Sequence, residues 1–529
     1  MADLEQNPCT SMIKYTPASE RTLSLFRTPF EQSLWPDNRW VRMAQLVPWD
    51  DMAKVFFEHM SMDHGRASVD LRIVLGALLV KHIEGISDED TIVYIQENIY
   101  AQYFVGLPSF QVKPVFSPTL FVEIRKRLGK SGAEQLNDHL LRQARSLRSI
   151  KHRAKPRPAT DKNDNSDQSP PEDSNTEQVS RKDRAPAVPA AAVKPPNKGT
   201  LKVDATVAPQ HIGYPTDSRL LHEARQYSEA LIDELYQGHA KQLWSKKPRT
   251  YRRKARQQYL GFSKQRRHNK KAIRKVVGQQ LRYLRRNLAT INKMLDRLLE
   301  QGLQPLWQHH HWRRFWVLQE FYRQQALMFA DRRKRVDNRI VNIAQPYVRP
   351  IKRGKAGADT EFGAKLNVSE TEGFVRADRI DFEAFHEGLG LQKQIEAYKR
   401  LYGYYPECVL ADRAYLTRAN RKFLKDNGIR HSGKPLGRQP QMSRQDKDKR
   451  RKEQNKRAEI EGKFGQAKSK YGLDDIQTRR QDTSFACIGL ILLALNVIKL
   501  AKKLYFSIFS SLKQTLDAIT RSIWAFKFG

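Results

Sequence analysis

Between about Lys151 and Gly199 the chain runs from DKNDNSDQSPPEDSNTEQ into APAVPAAAVKPPNKG with almost no large apolar side chain. Such a segment cannot offset its ordering entropy by burial, so residues 151–199 are expected to form a disordered linker. The fold must then be sought in separate units on either side. A length of 529 residues agrees, being more than one hydrophobic core usually serves.

Ahead of the linker, WDDMAKVFFEHM, SVDLRIVLGALLVKHIEG, SDEDTIVYIQENIYAQYF and SPTLFVEIRKRLG carry apolar residues near 3.6-residue spacing. Ser87 with Asp90 resembles a capping box, and Ser117 followed by Pro118 places a cap and a first-turn proline. Residues 36–150 therefore read as a compact all-α domain behind an N-terminal tail, 1–35. Its last helices are basic, with Arg125, Lys126 and Arg127 followed by RQARSLRSIKHR, which suits helix-turn-helix reading of DNA.

After the linker, TLKVDATVAP alternates Leu201, Val203, Ala205 and Val207 against Lys202, Asp204 and Thr206, as a strand with two distinct faces does. From 218 to 342 a helical, strongly basic block intervenes. Strands resume at EFGAKLNVS and GFVRADRIDF, joined by a turn around Glu372 and Gly373. A helix follows in LQKQIEAYKRLYG, then a strand, PECVLADRAY, ending at Asp412, a helix in TRANRKFLKDNG, a short strand in IRHSG, and the last helices. Without the block, the order is β, β–β, α, β, α, β, α. This predicts a mixed α/β sheet flanked by helices over 200–217 and 343–500, with a helical tail at 501–529.

Lys and Arg total 95 against 57 Asp and Glu, a formal charge of +38, so the surface attracts a polyanion. Cys9, Cys408 and Cys487 are scattered, with neither a zinc spacing nor a disulfide framework, and fit a reducing cytoplasm. The apolar run from Phe485 to Ile498 is shorter than the roughly 20 residues of a membrane span and reads as a buried helix, so no membrane role is expected.

Cutting or joining a phosphodiester needs an in-line attack by water or a hydroxyl. Two Mg²⁺ ions can activate the nucleophile and stabilise the leaving oxygen, and Mg²⁺ prefers a few carboxylates plus water. Asp204 on a strand and Asp412 at the carboxyl end of another suit that task. Taken singly, each reads more readily as a strand-end cap or a solvated surface acid. The third element is RAEIEGKFGQAK, in which Arg457, Glu461 and Lys468 share one helix face beside an apolar stripe of Ile460, Phe464 and Tyr471.

This segment resembles the Tyr-Arg-Glu-Lys signature of DDE transposases from bacterial insertion sequences, in which Arg, three residues, Glu, six residues and Lys follow a tyrosine. Arg457, Glu461 and Lys468 match with both spacings, while Gln454 stands at the tyrosine position. Asp412-Arg413-Ala414-Tyr415 resembles the second signature of that group, and VDAT at Asp204 the first. The stretch SVDLRIVLGALLVKHIEGISDEDTIVYIQEN is similar to the helical domain of the same transposases, particularly the insertion-sequence five type. The resemblance implies a ribonuclease-H-like core whose Asp204, Asp412 and Glu461 bind two Mg²⁺ (or Mn²⁺) ions and catalyse cleavage and strand transfer. It also implies double-stranded DNA partners (terminal inverted repeats and target), a homodimer or higher oligomer in the synaptic complex, and a bacterial, nucleoid-associated place in the cytoplasm. Gln454 bears on how flanking DNA is held.

Glu459, Asp378, Asp381, Asp474 and Asp475 lack flanking cations at the signature spacing and rank below the three acids. His309, His310 and His311 diverge on a helix and are not expected to bind metal. In the basic block, Arg252, Arg253, Lys254, Arg266, Arg267, Lys270 and Lys271, interleaved with Tyr251, Tyr259 and Phe262, are expected to contact DNA phosphates along with Arg457 and Lys468. The competing readings are a non-catalytic DNA-binding derivative and a nuclease without strand transfer. The linker is expected to let the N-terminal helices reach DNA away from the catalytic core.

Overall fold

The computed structural model describes residues 15–17, 34–59, 69–153, 196–237, 240–352, 360–433 and 443–503. Most of the expected linker and the two expected tails, with Cys9, lie outside the described residues.

The N-terminal unit is helical, from α1 (Arg39–Leu46) and α2 (Trp49–His59) through α3 (Leu71–Glu84), α4 (Asp88–Glu97) and α5 (Ile99–Val105) to α6 (Thr119–Arg153). Its helices start where short polar side chains satisfy free amides: Asn38, Asp70 and Ser87 accept from Trp40, Arg72 and Asp90. Helix α3 is covered almost all round, and its Gly76 lets α5 approach so closely that a Cβ there would lie 2.9 Å from the Val105 Cα.

Strand β1 (Thr200–Pro209) is central. On one side it pairs antiparallel with β3 (Thr360–Thr371), which also carries β2 (Arg349–Lys352) and β4 (Phe374–Asp381). On the other side β5 (Cys408–Ala411) and then β6 (Arg430–His431) run parallel. The turn expected at Glu372 and Gly373 has φ of 55° and 88°, the positive values a two-residue hairpin needs to match strand twist. Strand β2, a short edge piece without alternation, had no sequence signal. The two faces expected of β1 are not distinct: Lys202 and Thr206 are as buried as Val203, because helices cover both sides of the sheet. Buried Lys202 is held by buried Glu370 at 2.6 Å, directly across the strand pair.

Between β1 and β2 lie α7 (Asp217–Gln237), α8 (Ala240–Leu243), α9 (Arg252–Ser263), α10 (Lys270–Glu300) and α11 (His309–Ala330). Their core, from Leu220 to Ile343, is drawn from this block alone. Its chain ends meet at a neck where Asp217 accepts from Arg339 at 2.5 Å and from Gln325 at 2.9 Å.

Helices α12 (Leu391–Tyr402), α13 (Arg418–Asp426), α14 (Arg444–Tyr471) and α15 (Gln481–Lys503) flank the sheet. Helix α15, expected as a buried helix, is long and apolar enough to cross a membrane, yet 78 % of its apolar window is buried in the protein. One side of it, with Leu490, Leu493, Ala494 and Val497, joins the core of the N-terminal unit. The other side, with Ile488, Ile491 and Leu495, packs with the sheet. Asn496 reinforces this junction, donating to Asn137 of α6 and to the Val375 carbonyl of β4, both at 2.7 Å. The N-terminal helices are therefore built onto the sheet rather than held apart from it, unlike the reach expected from the linker.

Candidate active site

Strands β1 and β5 run parallel with Val203 beside Ala411, so the next residues, Asp204 and Asp412, leave the paired region next to each other. Asp412 accepts its own turn's Arg413 N–H at 2.7 Å and is exposed. Asp204 is mostly buried, accepting from the Ala205 N–H at 2.8 Å and from Arg457 at 3.3 Å. The same guanidinium reaches Glu461 at 3.1 Å. One arginine thus joins the first and third acids across about one helical turn.

Helix α14 is fixed over the sheet by burial of Ile460, Phe464 and Ala467. Two ion pairs brace it, Glu453 with Arg430 of β6 and Glu459 with Lys202 of β1. The expected apolar stripe is thereby present, and its charged row carries Arg457 and Glu461 to β1. Lys468, two turns further on, pairs instead with Glu361 of β3 at 3.8 Å.

Burial pushes the Asp204 carboxyl above its ordinary range. The Ala205 amide and Arg457 oppose that shift, while the charges of Glu461 and Glu387 add to it. Glu387 is an acid the sequence did not reveal. It sits in a short turn before α12, held by Lys365 at 3.0 Å. A buried amide network ties that turn to the Asp412 segment. Asn367 donates to the Glu387 carbonyl and accepts from the Tyr415 hydroxyl, and Asn420 donates to the carbonyls of Gly388 and Tyr415, both at 2.7 Å. Tyr415, fully buried, has its phenol pushed far up by burial. The tyrosine of the Asp-Arg-Ala-Tyr motif therefore serves as an internal strut for the loop bearing Asp412.

Among the described residues no group of three or more His, Cys, Asp or Glu side chains converges closely enough to hold a metal ion. Arg457 stands between Asp204 and Glu461, and Asp412 points into an exposed turn. In kind, the donors fit a hard divalent cation: three carboxylates, one of them mostly buried and destabilised by neighbouring negative charge that a cation relieves.

Four of the five lower-ranked acids have other partners. Glu459 pairs with Lys202, Asp378 with Arg376 at 2.5 Å, Asp381 with Arg379 at 2.8 Å and Asp475 with His211 at 2.8 Å. In the histidine run, the His311 Nδ1 accepts the Gln308 N–H at 3.3 Å, which caps α11. In the basic block, Arg252 is spent on Asp233 at 2.6 Å. Among the described residues Arg253, Lys254, Arg266, Arg267, Lys270 and Lys271 are exposed and make no ion pair, leaving a cationic face on α9 and the start of α10.

A mixed, curled sheet with flanking helices, acids at the neighbouring strands β1 and β5, and helices built against its edge defines a mixed α/β protein with a helical N-terminal unit. Residues 409–501, spanning Asp412 and Glu461, match the family described as transposase DDE domain, and residues 28–127 match the transposase domain DUF772. Together the two matches support a DDE transposase of an insertion sequence. It is similar to an uncharacterized protein, ORF8 in the nfe locus of Rhizobium meliloti, at 25 % identity over 205 residues, 38 % of this chain and 76 % of that protein. No solved structure matches the chain.

Proposed function

We propose that this transposase cuts phosphodiester bonds at the ends of its insertion sequence and joins the freed 3′-hydroxyls to target DNA, on a ribonuclease-H-like core. The observation that carries the reading is the pairing of β1 with β5, from which Asp204 and Asp412 emerge together, with Glu461 joined to Asp204 through Arg457. Asp204, Asp412 and Glu461 would hold two Mg²⁺ or Mn²⁺ ions, which supply activation of the attacking hydroxyl and neutralisation of the leaving oxygen. Arg457, freed from the acids, and Lys468 hold flanking phosphates. The Asn367–Tyr415–Asn420 network keeps the Asp412 loop fixed while DNA is bound.

The cationic face of α9 and α10 grips DNA backbone without regard to sequence, and the N-terminal unit (36–150) reads the terminal inverted repeats. A homodimer or larger oligomer brings two ends together in the cytoplasm, at the nucleoid. The test is cleavage and strand transfer of element-end DNA with Mg²⁺ or Mn²⁺, comparing the native chain with Asp412→Ala and Glu461→Ala while DNA binding is followed separately. Both variants are expected to bind DNA and to lose at least a hundredfold in both reactions. A native chain that binds but performs no metal-dependent chemistry would establish a non-catalytic DNA-binding role, and cleavage without joining would establish a nuclease.

A further inference from the structure

A cavity of about 910 Å³ lies where the N-terminal helices meet the far end of α14 and the loop leading into α15. That volume falls in the range of small-molecule sites. Its walls differ in character. Tyr471, Ile86, Val122 and Ile491 give an apolar and aromatic side. Lys470 and Arg479 give a cationic side, both exposed and, among the described residues, without an ion pair. Acids line it too: Asp88 is committed to Arg125 and to Lys81 at 3.0 Å and Asp475 to His211, while Glu89 and Asp474 are exposed to solvent, which screens their charge. Deep in the wall, His82 is only 5 % exposed, and its Nε2 has no hydrogen-bond partner among the described residues. Burial and the nearby charges of Lys81 and Arg125 hold its pKa down at about 3, so the ring is neutral and able to pair with an uncharged polar group.

A flat ring system bearing polar edges, attached to an anion, matches these three features together. We propose that the cavity binds a nucleotide, with the base against Tyr471 and within reach of His82, and the phosphate between Lys470 and Arg479. The nucleotide comes either free or as an unpaired residue of a DNA strand. The second source rests on the proposed DNA chemistry. Helix α14 carries both Glu461 and Tyr471, about 15 Å apart at about 1.5 Å per residue, or some four stacked base steps. Ten residues at about 3.6 per turn also set the two side chains roughly a quarter turn apart, so a strand held at the acids reaches the cavity by following the helix surface round.

The experiment uses the full chain, titrated calorimetrically with dAMP, with orthophosphate, and with one duplex prepared blunt and with a single-stranded end. The variant pair Lys470→Glu/Arg479→Glu alters exposed side chains only, and its unfolding midpoint is measured as a folding control; Tyr471→Phe and Tyr471→Ala test the ring. Expected are dAMP binding well above orthophosphate, a loss of tenfold or more in the charge-reversed chain, and a loss in Tyr471→Ala that Tyr471→Phe rescues. A preference of about tenfold for the single-stranded end, lost in the same variants, assigns the site to DNA. Binding of dAMP with no such preference assigns it to a free nucleotide. Absence of both dAMP binding and end preference, or orthophosphate binding as well as dAMP, overturns the proposal. Asp412→Ala carries the independent control: it is expected to keep dAMP binding and end preference even where cleavage is lost, so failure of the active-site reading leaves this result intact.

Discussion

Two helical regions of the molecule invert what their positions in the chain suggest. The N-terminal helices are separated from β1 by a long polar stretch, yet they share one core with Phe374 of β4 and with α15. The basic block follows β1 directly, yet its core is its own. Nearness in sequence therefore says little about which piece stiffens the central sheet. Apolar area shared between units decides that, since it is what couples their unfolding.

The largest effect that separates the two regions should come from matched truncations of fully buried leucines, Leu78→Ala in α3 and Leu284→Ala in α10, each costing about 2–5 kcal/mol. Hydrogen exchange is expected to quicken in α15 and β4 as well as α3 for the first, but only within residues 217–342 for the second. Unchanged protection of α15 in Leu78→Ala would break the comparison. A smaller loss, about 1–3 kcal/mol for each polar group orphaned, is expected of Asn496→Ala, which strips the partner of the Asn137 Oδ1 and of the Val375 amide, while the Val375 carbonyl keeps its bond from the Asn137 Nδ2 at 3.1 Å. Chemical denaturation followed by probes in α6 and in the sheet should show both shifting together.

Acid sharpens the comparison next. The folded pKa of His82 is lowered from 6.5 to about 3, so below pH 6.5 the unfolded chain binds the proton first. Stability then falls with pH by up to about 1.4 kcal/mol per unit from this residue until the folded value is reached. Unfolding curves of the native chain and His82→Gln should converge as pH drops, with the loss felt in the N-terminal unit and α15 rather than in the basic block. The smallest stability change, under about 0.5 kcal/mol, is expected of Lys270→Glu/Lys271→Glu on the exposed face, although DNA affinity and its salt dependence should both decline.

What the sequence disclosed follows the same division. Spacing along one helix is local, so Arg457, Glu461 and the Ile460–Phe464 stripe were readable, as was the Glu372–Gly373 turn. Helices α3 and α15 were recognisable as apolar, but being covered all round they have no polar face, and without one a helix names no partner. Burial of Lys202 was hidden for the same reason, since the helices over the sheet come from distant segments. Glu387 lies in a turn with no period to betray it, and the course of Lys468 depends on where β3 passes beneath α14. The position of Asp204 on a strand was legible from TLKVDATVAP; the central place of that strand and the link of Asp204 to Glu461 through a shared guanidinium were not.

The neck at Asp217 and Arg339 makes the basic block a cassette. Because its two ends are already clasped and its interior is self-sufficient, a short loop bridging those ends could stand in for it without pulling on β1 or β2. The sheet and the basic block can therefore vary in length and charge independently, each free to change without renegotiating the packing of the other.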